Sequence, residues 1–168
     1  MEAGFSLGSN LGDRRANIDA ALAALFKSGD IAFTAASSIY ETRPWGVTDQ
    51  PAFLNACAVG DTDLPAETLL ARIKMIERAL GRQPGERWGP RLIDIDILYL
   101  GTREVHAEDL AIPHRELFNR AFVLIPLAEI RPDLVLSGRR IGDAAASFGD
   151  EPVRPVAPPW SPPSPHDR

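Results

Sequence analysis

Leu92-Ile93-Asp94-Ile95-Asp96-Ile97-Leu98-Tyr99-Leu100 is the stretch on which the fold turns. In a strand, alternate residues share a face, so Asp94 and Asp96 point one way and Ile93, Ile95 and Ile97 the other. In a helix the two carboxylates would diverge by roughly 200°, because each residue turns the chain by ~100°. The β-branched isoleucines favour the strand. Leu98 and Leu100 continue the aspartate face and are expected to be buried with it. Two carboxylates on one face of a central strand repel each other and lose hydration, and a divalent cation compensates directly. With few other hard ligands nearby, the pair suits Mg²⁺ that keeps waters and takes its remaining ligands from substrate phosphates. No Cys or His cluster has zinc spacing.

On either side of this strand the chain alternates strands and helices. Gly4 to Leu7 reads as a first strand that meets a Gly-rich turn, Gly8-Ser9-Asn10-Leu11-Gly12. Ala16 to Phe26 carries Ile18, Ala21, Leu22, Leu25 and Phe26 at helical spacing, with Asp13 as a plausible N-cap. Ile31 to Tyr40 and Phe53 to Val59 read as an antiparallel strand pair joined by a Pro/Gly-rich loop. Pro65 to Leu80 predicts a helix with Leu69, Leu70, Ile73, Ile76 and Leu80 on one face. A short strand near Glu104-Val105 and helices over Arg120 to Ala128 and Ile141 to Phe148 follow. The order is βαββαβ, which makes the fold class α+β, a ferredoxin-like antiparallel sheet with helices packed on it. Residues 1–150 are expected to form a single domain. Seven Pro residues crowd Glu151 to Arg168, which has few large apolar side chains, so this segment is expected to be a flexible tail.

Hydrophobic residues make up 45% of the 168 residues and charged residues 24%, which permits a sizeable core in a soluble chain. The net charge of −5 argues against bulk attraction to nucleic acid or anionic membrane. Cys57 is the only cysteine, so an internal disulfide is excluded. It lies in an apolar run and reads as a small core residue. There is no apolar run of the ~20 residues that a membrane span needs and no signal-peptide pattern, so the expected compartment is the cytoplasm.

Arg82, Arg87 and Arg91 flank a Pro/Gly loop that leads into the aspartate strand. One arginine in a loop is usually solvated, but three near a metal pair read as phosphate ligands. The loop composition suits closure over a nucleotide, with Trp88 as a gate. Downstream, His114 follows Pro113 and precedes Arg115 and Arg120, which favours phosphate contact over a purely structural histidine. The Gly8 to Gly12 turn is neither a Walker A loop nor GxGxxG and alone reads as a strand-to-helix turn.

Together these blocks closely resemble the 6-hydroxymethyl-7,8-dihydropterin pyrophosphokinase family. The matching segments are Gly8-Ser9-Asn10-Leu11-Gly12, Ser38-Ile39-Tyr40-Glu41-Thr42, Gln50-Pro51-Ala52-Phe53-Leu54-Asn55-Ala56, Arg87-Trp88-Gly89-Pro90-Arg91 with Asp94 and Asp96, and Pro113-His114 with Asn119-Arg120. The resemblance runs from about residue 4 to residue 148 and leaves out the Pro-rich tail.

The resemblance implies transfer of the terminal diphosphate of ATP to the pterin hydroxymethyl group, leaving AMP, as a step of folate biosynthesis. It implies two Mg²⁺ ions on Asp94 and Asp96, with Arg82, Arg87 and Arg91 completing the catalytic set. Carried over by position, Asn55 would read the pterin amide edge with help from Thr42, Pro44 and Trp45. Phe53 and Phe122 would stack on the ring, and Trp88 would border it. Leu70, Lys74, Glu77, Ile97, His114, Arg115 and Arg120 would line the ATP side together with Arg82, Arg87, Trp88 and Arg91. The chain departs from the family pattern at Pro84, where Arg is frequent, at Arg115, where Tyr is frequent, at Ala111 and at Lys74. A monomer acting on small molecules, with no nucleic acid and no membrane, is expected. Two other classes compete. A two-metal phosphohydrolase or nuclease would use the same Asp pair but has no use for Phe53-Leu54-Asn55. A non-enzymatic RNA- or protein-binding module has no use for paired carboxylates.

Overall fold

The computed structural model of the protein describes residues 1–42, 52–81 and 92–164. Its elements are β1 (Glu2–Ser9), α1 (Arg14–Phe26), β2 (Ile31–Ala36), β3 (Ile39–Thr42), β4 (Phe53–Thr62), α2 (Ala66–Ala79), β5 (Asp94–Leu100), β6 (Val105–His106), β7 (Ala111–Ile112), α3 (Ala121–Ile130), β8 (Val135–Leu136), β9 (Arg139–Arg140), α4 (Ile141–Ala146) and β10 (Val153–Ala157). The main sheet runs β10-β3-β4-β1-β5, with β2 also paired to β4, and every pairing in it is antiparallel. With β2 and β3 counted as one interrupted strand, the βαββαβ order and the antiparallel sheet are as expected.

Two apolar layers sandwich the sheet. One face packs Phe5, Leu7, Ile95 and Ile97 against Ile18, Leu22 and Leu25 of α1 and Leu69 and Ile73 of α2. The other packs Cys57, Val59, Leu98 and Tyr99 against Val123, Leu124 and Leu127 of α3 and Ile141 of α4. The helical spacing read from the sequence is thus the spacing of residues that leave water. The Asp13 side chain accepts from Ala16 N at 3.1 Å and caps α1. Pro65 stands at the N-cap of α2.

Three expectations change. The single strand over Ile31 to Tyr40 is two strands, broken at Ser37-Ser38. There Ser37 Oγ accepts from Cys57 N at 2.9 Å and donates to Ser38 O at 2.7 Å, so a hydroxyl replaces part of the ladder. Next, Leu98 and Leu100 do not share a face. The β1–β5 register shifts between Gly4, opposite Tyr99, and Phe5, opposite Ile97. That bulge resets the alternation, so Leu98 joins the α3 side and Leu100 the α1/α2 side. Gly4 permits the arrangement, because a Cβ there would lie 2.2 Å from the Tyr99 ring.

The third change concerns the Pro-rich tail, which is not loose over its described residues. Val153 to Ala157 add an edge strand on β3, with Val153 opposite Thr42 and Pro155 opposite Tyr40. Trp160 then stacks on Phe26 at 6.1 Å and meets Phe33 edge-on at 5.4 Å. Prolines are compatible with an edge strand, which leaves one side of its backbone unpaired, and one large aromatic residue anchors what composition alone could not bury.

Candidate active site

Asp94 and Asp96 lie at the start of β5, on the α3 side of the sheet. In register, Asp94 is opposite Gly8 of β1, and Gly8 is opposite Asn55 of β4. Directly paired residues of an antiparallel sheet project to the same face. Asp94 and Asn55 therefore rise from one face, two strand spacings or about 10 Å apart, with only a glycine between them. A Cβ on Gly8 would lie 2.9 Å from Asn55 Oδ1 and 3.7 Å from the Phe53 ring. The Gly-rich turn, weak as a sequence signal, thus begins with the residue that lies in register between two candidate site side chains.

Burial first, then the Asp94 carboxylate beside it, push the Asp96 carboxyl above its ordinary value; His114, Arg120 and Lys74 pull the other way. Arg120 Nη1 is 3.8 Å and His114 Nε2 3.9 Å from Asp96 Oδ2. The chain holds His114 by its main chain, N to Leu98 O at 2.9 Å, and by its ring, where Nδ1 accepts from Glu116 N at 3.1 Å. That hydrogen bond fixes the neutral tautomer with its proton on Nε2, the nitrogen turned toward Asp96. Among the described residues no three His, Cys, Asp or Glu side chains converge as a metal cage. The donor set is two neighbouring carboxylates whose negative charge is only partly offset by His114, Arg120 and Lys74, which fits a hard cation that keeps waters and takes phosphate oxygens.

Asn55 is buried, and its Nδ2 donates to Thr42 Oγ1 at 3.0 Å. Its second Nδ2–H and its Oδ1 are left to pair with a ligand. Phe53 shares the Asn55 face and is half-buried. Phe122, near the start of α3, is half-buried as well, and the Arg120 guanidinium lies 5.7 Å from its ring centroid. Asp94, Asp96, Arg120, His114, Phe53, Asn55, Thr42 and Phe122 therefore fall on the α3 side of the sheet or at the N-terminal end of α3.

Other expected site residues sit differently. Glu77, expected beside the nucleotide, is 1% exposed, and its Oε2 accepts from Ile95 N at 3.0 Å. It supports the strand between the two aspartates, a role no periodicity reveals. Lys74 Nζ is 3.6 Å from Glu77 Oε1. Ile97 is core, packed on the α1/α2 side, and Leu70 packs on the edge of that same cluster. Arg115 is exposed and donates to Ala107 O at 3.3 Å. Pro44, Trp45, Arg82, Arg87, Trp88 and Arg91 lie outside the described residues.

The family model for 7,8-dihydro-6-hydroxymethylpterin-pyrophosphokinase matches residues 4–132. The chain belongs to this family. It is 47% identical over 144 residues to the 2-amino-4-hydroxy-6-hydroxymethyldihydropteridine pyrophosphokinase of Methylorubrum extorquens, covering 86% of this chain and 91% of that relative. It is 40% identical to the protein of the same name from Haemophilus influenzae, covering 82% and 86%. A mitochondrial folate synthesis bifunctional protein of Arabidopsis thaliana is 48% identical over 126 residues, but the match covers only 23% of that protein. Among solved structures, Plasmodium falciparum HPPK-DHPS crystallised with pteroate superposes with a TM-score of 0.69 at 16% identity. That match covers 88% of this chain and 42% of the other, and it bears on fold alone. In this pyrophosphokinase family member, α4 and β10 lie beyond the matched region.

Proposed function

We propose that the chain transfers the terminal diphosphate of ATP to the hydroxymethyl group of 6-hydroxymethyl-7,8-dihydropterin, giving the pterin diphosphate and AMP in folate biosynthesis. The row Asp94–Gly8–Asn55 carries this reading. It sets a carboxylate suited to phosphate-bound metal and an amide suited to a heterocycle edge on one face, with a residue that has no side chain, Gly8, in register between them. A two-metal phosphohydrolase accounts for the aspartates but gives the Asn55–Thr42 pair and Phe53 nothing to do.

In this reading Asn55 binds the pterin amide edge, its Nδ2 kept in place by Thr42, while Phe53 and Phe122 offer their faces to the ring. Stacking and amide pairing orient the hydroxymethyl group toward the aspartates, and such positioning is a large part of catalysis by proximity. Arg120 and His114 Nε2–H stand where they can meet phosphate oxygens beside Asp96. Arg82, Arg87 and Arg91 are assigned the same chemistry from the sequence. Two Mg²⁺ ions held by Asp94 and Asp96 would neutralise phosphate charge and lower the pKa of the attacking hydroxyl. No side chain described here needs to act as a strong base.

The same reading makes the chain a cytoplasmic monomer acting on small molecules, without nucleic acid or membrane. It is supported by the net charge of −5 and by a single, fully buried cysteine. No helix among the described residues is long and apolar enough to cross a membrane. Incubation with Mg-ATP and the hydroxymethyl-dihydropterin tests the activity. AMP and pterin diphosphate are expected; ADP, free phosphate or no reaction sinks it.

A further inference from the structure

Arg14 is the first residue of α1, directly after the Gly8 to Asp13 turn. Its Nη1 donates to Ala52 O at 2.6 Å and lies 3.7 Å from Glu41 Oε2. Ala52 immediately precedes Phe53, and Glu41 immediately precedes Thr42. Thr42 opposite Phe53 is the last register pair of β3 and β4 before the chain leaves the ladder. One guanidinium therefore reaches both stems of that connection, one by a hydrogen bond to a main-chain carbonyl and one by a longer, partly exposed ion pair. Both contacts are made by the one nitrogen Nη1, so it is the charge and a single hydrogen bond that link the stems.

The helix does not depend on this contact. α1 is capped by Asp13 and anchored by buried Ile18, Ala21, Leu22 and Leu25. The interaction energy of Arg14 is directed instead at strand ends, where a ladder frays most readily. Those ends carry the Asn55–Thr42 hydrogen bond and the Phe53 ring.

We propose that Arg14 is a positioning residue for the pterin site. It sets the separation of Glu41 and Ala52, and through them the facing of Thr42, Asn55 and Phe53. The inference rests on the pterin reading of that site and extends it to a residue outside the site. The effect is selective: the aspartates on β5 lie on the far side of β1 from the clamped stems, so the nucleotide end is left as it was.

The test compares the full chain with Arg14→Ala, Arg14→Lys and Glu41→Gln, using steady-state kinetics for both substrates and thermal melting. Loss of a hydrogen bond to a charged donor predicts a rise in pterin KM on the order of tenfold for Arg14→Ala. The KM for ATP and kcat should stay within about twofold of wild type, so the loss is in pterin binding. Arg14→Lys should recover part of the affinity, and Glu41→Gln should show a smaller defect of the same kind. An unchanged pterin KM in Arg14→Ala overturns the proposal. So does a parallel loss of pterin affinity, ATP affinity and melting temperature, which would make Arg14 a general structural support. A wild-type chain that makes no AMP from the pterin overturns the underlying reading and this inference with it, and that result is read before any variant is compared.

Discussion

Asp94 and Asn55 project from the same face of the sheet, two strands apart, with Gly8 in register between them. Gly8→Ala tests that relationship directly. The added methyl would meet Asn55 Oδ1 at 2.9 Å, closer than such atoms pack, so the amide must turn or the strands must part. Overpacking of this kind costs about 1–3 kcal/mol, and here it falls on the residue assigned to the pterin. Pterin affinity measured by titration should drop by roughly tenfold or more, a loss of ~1.4 kcal/mol or greater. Unaltered pterin binding in a folded Gly8→Ala chain would remove Asn55 from the pocket.

Asp96→Asn keeps the volume of the side chain and removes its charge. Turnover should fall by more than ~100-fold, beyond the usual loss for a residue that only orients a ligand. The fold should persist, because the substitution relieves repulsion with Asp94 and the partial desolvation of a half-buried carboxylate. Circular dichroism and AMP release at several Mg²⁺ concentrations check both halves. A near-normal rate at ordinary Mg²⁺ would show that Asp96 is not a metal ligand.

Trp160→Ala removes the ring that rests on Phe26 and Phe33. Lost area and two aromatic contacts together predict a destabilisation of about 1–3 kcal/mol. Urea unfolding is the measurement, and a midpoint equal to wild type would mean that the segment does not pack in solution.

The acid side of the stability curve is set in part by Glu2. Burial would raise its carboxyl, but hydrogen bonds from Arg131 and Tyr99 outweigh burial and hold it below its ordinary 4.5. A depressed carboxylate contributes stability above that ordinary value and loses it as pH falls through the lower folded value. Stability should therefore decline on acidification below 4.5. Arg131→Met should be less stable near neutrality and should show a flatter decline. Chemical unfolding across that range decides it; identical slopes in the two proteins would exclude the contribution.

Much of this was legible in sequence because it depended on local period. Ile93, Ile95 and Ile97 alternate with Asp94 and Asp96, and the structure keeps that alternation. Leu69, Ile73 and Ile76 repeat at helical spacing and are buried. What escaped was settled across strands and between distant segments. The bulge that separates Leu98 from Leu100 is set by Tyr99 lying over Gly4, residues far apart in the chain. Glu77 reads as one more polar helix residue until β5 brings Ile95 N to it. Pro-rich composition describes how little Val153 to Ala157 can bury, not that β3 has an edge to which they can bind. Asn55 and Phe53 entered through family resemblance, since an isolated Phe-Leu-Asn carries no period that names a pocket.

β10 has a consequence for how the molecule behaves in company. Without it, β3 would present an open row of backbone donors and acceptors, a template on which a second chain could add a strand. Val153 to Ala157 occupy that row and replace it with an outer border holding Arg154 and Pro155, a residue with no N–H to give, and the pairing register slips between Pro155 and Ala157. A charged, proline-bearing, irregular border is a poor seed for further strands. The segment that composition marks as least able to fold is thus the one that closes the β3 edge to a strand from another chain.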